Sequence, residues 1–498
     1  MAANVLHDLG DPERLSRLRD DVRRIARDME DPGRPPPMYW TGVPWPRGEE
    51  REDCDWCLTI SIGGTNTHWH LSRLRGGEVH VLSPEGREVT GDELSRVRES
   101  SSMRTPTAAD TASGIEMVRR IVEHVSRSLR PHRHLLPSVR HMILGWGFPH
   151  RVVRTRDYLL GGIAAVTTRM TKEQSSFTDL VDRDIGEIFA EELDRALDWR
   201  PAVTVANDGV AALHFFLAKG NRDRFHQIGL FINGTGANFC IAEPYRVRPE
   251  GVVSQPGERY EPARLSAEER RSLGEGRGLD PTGGTIRRYL VNYEIGSIEL
   301  AGTRTRFDVI DEYPIESNVL SGGNAFEHQF RAFTEDVLGE AAYRRIREAA
   351  PLGPLRTDTI EGPEVGRIAA AETPEAVLRL LPGAFENAPE DAEIAQHIAR
   401  AVISRSAQHA ALILAAVTER LGFGLGDGDG RSDLLALEGS VWKAPGYREI
   451  VLETWRDLVG APLSVELRWE PSFSASARGP LYVTLLQCGA PDEESGRS

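Results

Sequence analysis

Two similar glycine turns, far apart in the chain, constrain its fold more than any other feature. Leu58 to Leu74 reads LTISIGGTNTHWHLSRL, and Gly229 to Tyr245 reads GLFINGTGANFCIAEPY. Each segment predicts a strand, a glycine turn and a second strand. Because the pattern recurs after about 170 residues, we infer an internal duplication with one copy in each of two domains.

A strand-end carboxylate lies between these two hairpins in the sequence. The segment PAVTVANDGVAAL (Pro201 to Leu213) predicts a buried strand, a turn at Asn207 and Asp208, and an apolar helix. Open α/β sheets bind their ligands at the carboxyl ends of their strands, where Asp208 would lie. The alternative is an Asx turn in which Asp208 only hydrogen-bonds its own backbone. This segment alone leaves both interpretations open.

The length and net charge of the chain indicate how many domains to expect and which partners to exclude. A chain of 498 residues is too long for one core, so we expect two or more domains. The net charge of -15, without a basic stripe, argues against a nucleic-acid partner. The first residues lack the pattern of a signal peptide, and no uninterrupted apolar run is long enough to span a bilayer. We therefore expect a cytoplasmic protein without a membrane partner, and its oligomeric state stays open.

The four cysteines do not form a disulfide framework in a chain of this length. Cys54 and Cys57 have CxxC spacing, but a zinc site needs a second ligand pair, and Cys240 and Cys488 are isolated. A redox CxxC normally begins a helix, whereas this one leads into a predicted strand. We therefore expect Cys54 and Cys57 to be two semi-buried thiols.

Periodicity predicts the remaining elements. A strand is predicted from His141 to Phe148 and another from Leu434 to Leu437, and Pro244 to Tyr289 is expected to be a polar surface insertion. Helices are predicted after Asp11 and in the segments Ile115 to Leu129, Phe177 to Leu197, Asp308 to Tyr313, Phe326 to Leu338 and Ala392 to Leu421, the last of which Gly422 ends.

The glycine turns suggest phosphate binding. A glycine turn followed by threonine lets backbone N–H groups approach phosphate oxygens, and the hydroxyl adds a donor. Two such turns facing each other across a cleft would hold a triphosphate from both sides. The candidate phosphate-binding residues are Gly63, Gly64, Thr65 and Asn66 in the first turn, and Gly234, Thr235 and Gly236 in the second.

Phosphoryl transfer to an alcohol requires positioning, a metal ion and a base for the hydroxyl proton. Asp208 is the candidate base, and Lys172 is a nearby cation. Taken singly, each candidate also fits a solvated surface or a turn. The polar side chains of the kind that orient a polyhydroxylated ligand are Asn207, Asn238, Glu294 and Glu327.

The order of these motifs resembles that of the hexokinase family, from about Met38 to Leu486. SIGGTN, which begins at Ser61, is similar to the family's first phosphate motif, DLGGTN. AND, which ends at Asp208, falls on the motif whose aspartate is the catalytic base. NGTGAN looks like the second phosphate motif and places Asn238 on a sugar-binding asparagine.

Further matches follow in the same order. Thr171 and Lys172 match the family's sugar-contacting Thr-Lys pair, and Glu294 and Glu327 fall on segments that carry sugar-binding glutamates. The resemblance places Ser440, Ser476 and Gly479 on the nucleotide side. The other similar segments are GWGFP (145–149), NYEIG (292–296), VISRSAQHAA (402–411), EGSVWK (438–443) and ASARG (475–479).

The resemblance implies an α/β protein with the two-domain actin-like ATPase (ribonuclease H-like) fold and an interdomain cleft. The expected parts are an N-terminal helix and connector on the large domain (1–52), a small domain (53–206), a large domain (207–479) and a C-terminal segment that returns to the small domain (480–498). The implied reaction is ATP-dependent phosphorylation of the primary hydroxyl of a glucose-like hexose. Asp208 would act as base, Lys172 would assist, and magnesium would arrive with the nucleotide.

The chain also departs from the family's pattern. Ser61 replaces an aspartate that acts on the metal's water shell, and Gly147 replaces a sugar-contacting serine. Ala475 and Ala477 replace glycines near adenosine, and the polar insertion is longer than the family's link. Two alternatives therefore stay open: a hexokinase-like sugar sensor, and a kinase for a modified sugar or cyclitol. The retained Asp208 favours an enzyme, because a sensor needs no base.

Overall fold

The structure is a computed structural model that describes most of the chain. The described residues are 12–28, 38–44, 53–63, 66–83, 85–94, 97, 101–139, 141–148, 150–154, 164–167, 170, 174–218, 221–234, 237–248, 251–252, 278–279, 285–293, 295, 322–350, 360, 362–386, 388–428, 430–469, 479 and 482–483.

The helices begin at residues that favour helix N-termini. Pro12 is the first residue of the first helix, and Ser113, Asp184 and Asn207 accept backbone hydrogen bonds at the start of the next three. The helices are α1 (Pro12–Asp28), α2 (Gly114–Leu129), α3 (Ile185–Leu197), α4 (Asp208–Leu217), α5 (Asn221–Arg224), α6 (Gly322–Leu338), α7 (Glu340–Ala349), α8 (Gly362–Ala370), α9 (Pro374–Leu380), α10 (Asp391–Leu421) and α11 (Tyr447–Val459).

The strands follow runs of β-branched and aromatic residues. They are β1 (Met38–Pro44), β2 (Cys54–Ile62), β3 (Asn66–Arg75), β4 (Glu78–Leu82), β5 (Glu88–Val89), β6 (Ser102–Arg104), β7 (His141–Trp146), β8 (His150–Arg154), β9 (Ala164–Thr167), β10 (Ala202–Asn207), β11 (Ile228–Asn233), β12 (Ala237–Arg248), β13 (Gly251–Val252), β14 (Gly278–Leu279), β15 (Thr285–Tyr293), β16 (Asp433–Glu438) and β17 (Val465–Trp469).

The strands form three sheets. A seven-stranded sheet has the order β10-β7-β2-β3-β4-β5, with β6 beside β3. An eight-stranded sheet has the order β1-β15-β12-β11-β16-β17, with β13 and β14 at its side, and β8 and β9 form a third sheet. In the seven-stranded sheet β10, β7 and β2 run parallel, so their carboxyl ends meet at one edge.

The register of these three parallel strands decides which residues lie together. Ile60, Leu144 and Val205 share one row and belong to a fully buried core that includes residues of α2 and α3. The next row, on the opposite face, consists of three small residues: Ser61, Gly145 and Ala206. The strands end with Ile62, Trp146 and Asn207 side by side.

The long helix α10 lies largely in the interior. Its apolar segment is long enough to cross a membrane by length and composition, but 83% of that window is buried inside the structure. Gly422 ends the helix in the left-handed conformation, with its N–H donating to Thr418 O at 2.8 Å. Near this end Arg420 donates to the backbone oxygen of Ala26 in α1, which packs against α10.

The chain divides into two compact units. The first comprises residues Met1–Met38, Phe231–Phe239 and Tyr293–Leu467. The second comprises Tyr39–Leu230, Cys240–Asn292 and Arg468–Ser498. The predicted domain boundaries after residues 52, 206 and 479 stay predictions.

Several sequence predictions can be compared with these elements. The two predicted hairpins are confirmed as β2–β3 and β11–β12, and Cys54 and Cys57 lie in β2 rather than at the start of a helix. Four predicted helices are confirmed as α1, α2, α6 and α10, and the predicted strands at 141–148 and 434–437 are confirmed as β7 and β16.

Two predictions need correction, and a third concerns residues that the structure does not describe. The helix predicted from Phe177 begins only at Ile185, because Asp184 caps it with a hydrogen bond from Glu187 N at 3.1 Å. The predicted insertion is strand at both ends, since β12 continues to Arg248 and β15 begins at Thr285. The helix predicted at Asp308 lies outside the described residues.

Candidate active site

Asp208 is the first residue of helix α4, directly after strand β10. The preceding residue, Asn207, is buried, and its Oδ1 accepts hydrogen bonds from Gly209 N at 2.9 Å and Val210 N at 3.3 Å. These bonds satisfy two N–H groups that a helix start leaves without helical partners. Asp208 Oδ1 also accepts from Gly209 N, at 2.8 Å. The helix cap therefore fixes the backbone that carries the Asp208 carboxylate.

Gly147 brings Asp208 to the first glycine turn. Its N–H donates to Ile62 O at 2.8 Å, which joins the end of β7 to the end of β2. A Cβ built on Gly147 would lie 2.9 Å from Asp208 Oδ2 and 3.3 Å from Gly63 Cα. The proposed base and the first glycine of SIGGTN therefore lie on two sides of one small glycine.

The first glycine turn is held by hydrogen bonds around Gly63. Gly63 N donates to Asn66 O at 2.9 Å, and Thr105 Oγ1 donates to Gly63 O at 2.8 Å. Thr67 and Thr105 are linked by a 3.0 Å hydrogen bond between their hydroxyls. Gly64 and Thr65, at the tip of the turn, lie outside the described residues. Sequence reasoning missed Thr105, which no phosphate motif contains.

Ser61 lies one residue before the end of β2. It is half-buried, and a Cβ built on its neighbour Gly145 would lie 3.3 Å from Ser61 Oγ. Where the resemblance predicts an aspartate, this chain has a single hydroxyl close to the backbone of β7. Among the described residues, no three His, Cys, Asp or Glu side chains form a group that would hold a metal ion.

The second glycine turn packs against the end of strand β16. Gly439 has φ +105°, and a Cβ on it would lie 2.9 Å from Gly234 N. A Cβ built on Gly234 would have the Gly439 Cα as its nearest neighbour, at 4.0 Å. Gly439 places the exposed Ser440 next to this turn. Thr235 and Gly236 lie outside the described residues.

A buried network fixes the start of the second turn. Asn233 Nδ2 donates to Tyr447 Oη at 2.8 Å, and that oxygen is also hydrogen-bonded to Ser406 Oγ at 3.1 Å. Burial raises the pKa of Tyr447 well above its usual range, so the phenol stays neutral. The network joins β11, α10 and α11. Tyr447 carries no sequence signal that would have assigned it this position.

The described sugar-binding candidates of the first compact unit are Asn238 and Glu327. Asn238 is half-buried, and its Oδ1 accepts from Phe239 N at 2.9 Å. Glu327 is 6% exposed, and its Oε1 accepts from Gly362 N at 3.3 Å. Both side chains are therefore oriented by backbone N–H groups. The candidates Thr171, Lys172 and Glu294 lie outside the described residues.

Gly479 has a packing role that the sequence did not reveal. It is buried, and a Cβ built on it would lie 2.0 Å from Ala211 O in helix α4. The backbone at residue 479 can approach the helix that begins at Asp208 only because it lacks a side chain. Its predicted place on the nucleotide side stays a prediction, and Ser476 lies outside the described residues.

The described part of the chain leaves space for a nucleotide phosphate beside two glycine turns. Gly63 and Gly234 each begin a glycine turn without a Cβ, and no atom lies closer than 3.4 Å to a Cβ built on either one. Backbone N–H groups in such turns bind phosphate oxygens without side-chain obstruction. Both turns follow directly after a buried strand, β2 or β11.

Comparisons with known proteins identify the class of fold. A hexokinase from Schistosoma mansoni complexed with glucose matches with a TM-score of 0.60 and 17% identity, covering 95% of each chain. A second hexokinase crystal structure matches with a TM-score of 0.59 and 18% identity, covering 95% of this chain and 93% of that one. These likenesses show that the chain has the α/β actin-like ATPase fold.

Sequence comparison points to the family within that class. The hexokinase family model matches residues 358–485. The resemblance to the hexokinase family is therefore confirmed by sequence over this segment, and the structural matches show the same fold over nearly the whole chain. A search of curated protein sequences finds no match.

Proposed function

We propose that this protein is a sugar kinase of the hexokinase type, which phosphorylates the primary hydroxyl of a glucose-like hexose with ATP. The observation that carries the proposal is the position of Asp208. Its carboxylate lies at the carboxyl end of a parallel strand, and a Cβ built on Gly147 would lie within 3.3 Å of both Asp208 Oδ2 and the Cα of Gly63, at the start of a glycine turn. A base and a phosphate-binding turn in this relation suit phosphoryl transfer to a hydroxyl.

In this proposal Asp208 accepts the proton of the attacking hydroxyl. One carboxylate oxygen is held by Gly209 N–H, and the helix N-terminus favours the negative charge. The Asn207 cap keeps the carboxylate in place without using the carboxylate itself. Base catalysis of this kind depends first on distance, and the fixed backbone of Asp208 sets that distance.

Sugar hydroxyls would be bound by side chains whose orientation is already set. Asn238 and Glu327 are held by backbone N–H groups. A fixed carboxylate that accepts from sugar hydroxyls, and a fixed amide that bonds to them, select a ligand with hydroxyls in matching positions. The proposed partners in this role, beyond the described residues, are Thr171, Lys172 and Glu294.

When bound, ATP and Mg²⁺ would supply the phosphoryl group and offset its negative charge. Gly63, Gly64, Thr65 and Asn66 would bind phosphate from one turn, and Gly234, Thr235 and Gly236 from the other. The resemblance to the hexokinase family and the fold shared with a glucose-bound hexokinase support a sugar as acceptor. A cytoplasmic location is part of the same proposal.

A sugar sensor is the second candidate, and Ser61 is the observation that favours it. A serine hydroxyl carries no charge toward a metal's water shell, where the family has a carboxylate. A panel of hexoses, amino sugars and a cyclitol with ATP and Mg²⁺ separates the candidates. We expect ADP release and a phosphosugar mass with at least one hexose. Sugar binding without a phosphosugar for any member would replace the kinase with the sensor.

A further inference from the structure

We propose that Gly147 is a positioning residue: its missing side chain provides the space in which the Asp208 carboxylate lies against the first glycine turn. This inference rests on the proposed function. A Cβ at position 147 would lie 2.7 Å from Ile62 O, 2.9 Å from Asp208 Oδ2 and 3.3 Å from Gly63 Cα. The Ile62 carbonyl oxygen, the Asp208 carboxylate and Gly63 thus surround the space that a side chain at position 147 would occupy.

Space, and not backbone conformation, is the reason for glycine here. The φ angle of Gly147 lies outside the left-handed region, so an L-residue can adopt its backbone conformation. The backbone cannot move away to make room, because Gly147 N donates to Ile62 O at 2.8 Å and β7 is paired on both sides. A side chain at this position must therefore displace its neighbours.

Of those neighbours, the Asp208 carboxylate is the group that can move. Ile62 O and Gly63 belong to the backbone of β2 and its turn, which are held by the sheet and by Thr105. The backbone of Asp208 is fixed by the Asn207 cap, so a new Cβ can be accommodated only by a rotation of the Asp208 side chain, at the expense of the 2.8 Å hydrogen bond from Gly209 N to its Oδ1. A new Cβ would therefore turn the carboxylate away from the glycine turn. Misplacement of a catalytic group by about 1 Å costs on the order of 10² in rate.

The consequence is specific to this chain. The resembled family carries a serine where this chain has Gly147. In this structure the serine cannot simply be restored, because its Cβ would fall within 2.9 Å of Asp208 Oδ2. Gly147→Ser is therefore expected to lower turnover, although it makes the sequence more similar to the family.

The first experiment measures kcat and KM of Gly147→Ala and Gly147→Ser with the best sugar. We expect kcat to fall on the order of 10² while the sugar KM changes only a few-fold. Gly114→Ala is the matched control, since its Cβ would lie 2.5 Å from the Leu180 side chain and the nearest atoms belong to Leu180 and Asp179. It should destabilise the fold but keep the parental kcat. A parental kcat in Gly147→Ala, or an equal loss in Gly114→Ala, would overturn the inference.

A double-mutant cycle tests the contact without any activity. Urea unfolding is compared for the parent, Gly147→Ala, Asp208→Ala and the double variant. Gly147→Ala should lower the free energy of unfolding less in the Asp208→Ala background, because truncation removes one of the three groups that the new Cβ meets. Additive effects would overturn the inference.

Two further outcomes are decisive. If Gly147→Ala alone does not fold, the double variant should recover folded protein, and failure to recover it counts against the inference. If the parent phosphorylates no sugar while the cycle shows coupling, the proposed function fails and the contact between Gly147 and Asp208 stands.

Discussion

Gly439 lies so close to Asn233 that a Cβ on Gly439 would be 2.1 Å from the Asn233 carbonyl oxygen and 2.4 Å from its carbonyl carbon. Asn233 is the last residue of β11, and Gly439 directly follows β16, its neighbour in the eight-stranded sheet. Their contact holds the start of the second glycine turn against the strand end that carries Ser440. A substitution at Gly439 should therefore disturb this turn directly.

Gly430 offers a matched control for that substitution. Gly439 and Gly430 have nearly equal φ angles, +105° and +102°, but a Cβ on Gly430 would meet nothing within 4 Å. Both alanine variants carry the cost of an L-residue at this φ, and Gly439→Ala adds the collision with Asn233. We expect Gly439→Ala to lower the free energy of unfolding by about 1–3 kcal/mol more than Gly430→Ala, and to weaken ATP binding. Equal urea midpoints for the two variants would contradict the contact.

Asp208→Asn tests the base. The amide keeps the size of the side chain but cannot accept the hydroxyl proton, so turnover should fall by about 10² to 10⁴. Calorimetry should show a much smaller change in sugar affinity. Asp184→Asn, at the cap of helix α3, is the control and should keep the parental turnover, since asparagine also caps helices. Parental turnover in Asp208→Asn would remove it from the catalytic role.

Asn207 has a cap role in the structure and a proposed sugar-binding role, and two variants separate them. Asn207→Ala removes the acceptor for Gly209 N and Val210 N, so the free energy of unfolding should fall by about 1 kcal/mol. Asn207→Asp keeps the acceptor and should retain stability, but it loses the amide donor and should weaken sugar binding. Unchanged sugar affinity in Asn207→Asp, measured by calorimetry, would confine Asn207 to the cap.

Ser61→Asp restores the carboxylate that the family carries. A preorganised electrostatic contact of this kind is worth on the order of 10² to 10³ in rate. We therefore expect Ser61→Asp to raise turnover or to lower the magnesium concentration for half-maximal rate, whereas Ser61→Asn, of similar size and without charge, should do neither. Glu438, buried at the end of β16, is the candidate for supplying the missing charge instead. Equal magnesium titrations of the parent and Ser61→Asp would favour that compensation.

His214 predicts an acid-sensitive fold. Burial in helix α4 lowers the pKa of His214 from 6.5 to about 4. The unfolded chain therefore binds a proton that the folded chain does not, and stability is lost as the pH falls from about 6.5 to about 4. This lowering of the pKa corresponds to a loss of stability on the order of 3 kcal/mol. In His214→Gln the urea midpoint should change less with pH over this range than in the parent. His134→Gln, which replaces an exposed histidine, should keep the parental pH dependence.

The sequence predicted the local features of the site well. Strand, turn and strand around Gly63 and Gly234 follow from short-range periodicity and glycine, so both hairpins are found where they were expected. Asp208 lies at the end of a buried strand, because an apolar strand, an Asn cap and an apolar helix succeed one another within 16 residues. Local chemistry decides each of these features.

Features that depend on close approach in space were missed. Gly147 differs in sequence from the resembled family, but its closeness to Asp208 depends on the register of three parallel strands. Gly479 likewise meets Ala211 only because the chain returns to α4 after more than 250 residues. Helix α3 begins eight residues later than predicted, because the Asp184 side chain caps it there.

The parallel arrangement of β2, β7 and β10 also has a consequence for how the molecule folds. Ser61, Gly145 and Ala206 become neighbours only when strands that begin at residues 54, 141 and 202 have paired. Contacts of such high sequence separation form slowly, since the loops between them must close before the contacts provide any stability. During synthesis the chain must therefore extend beyond β10 before Asp208 and the first glycine turn come together. A shorter nascent chain contains the glycine turn but cannot form the candidate active site.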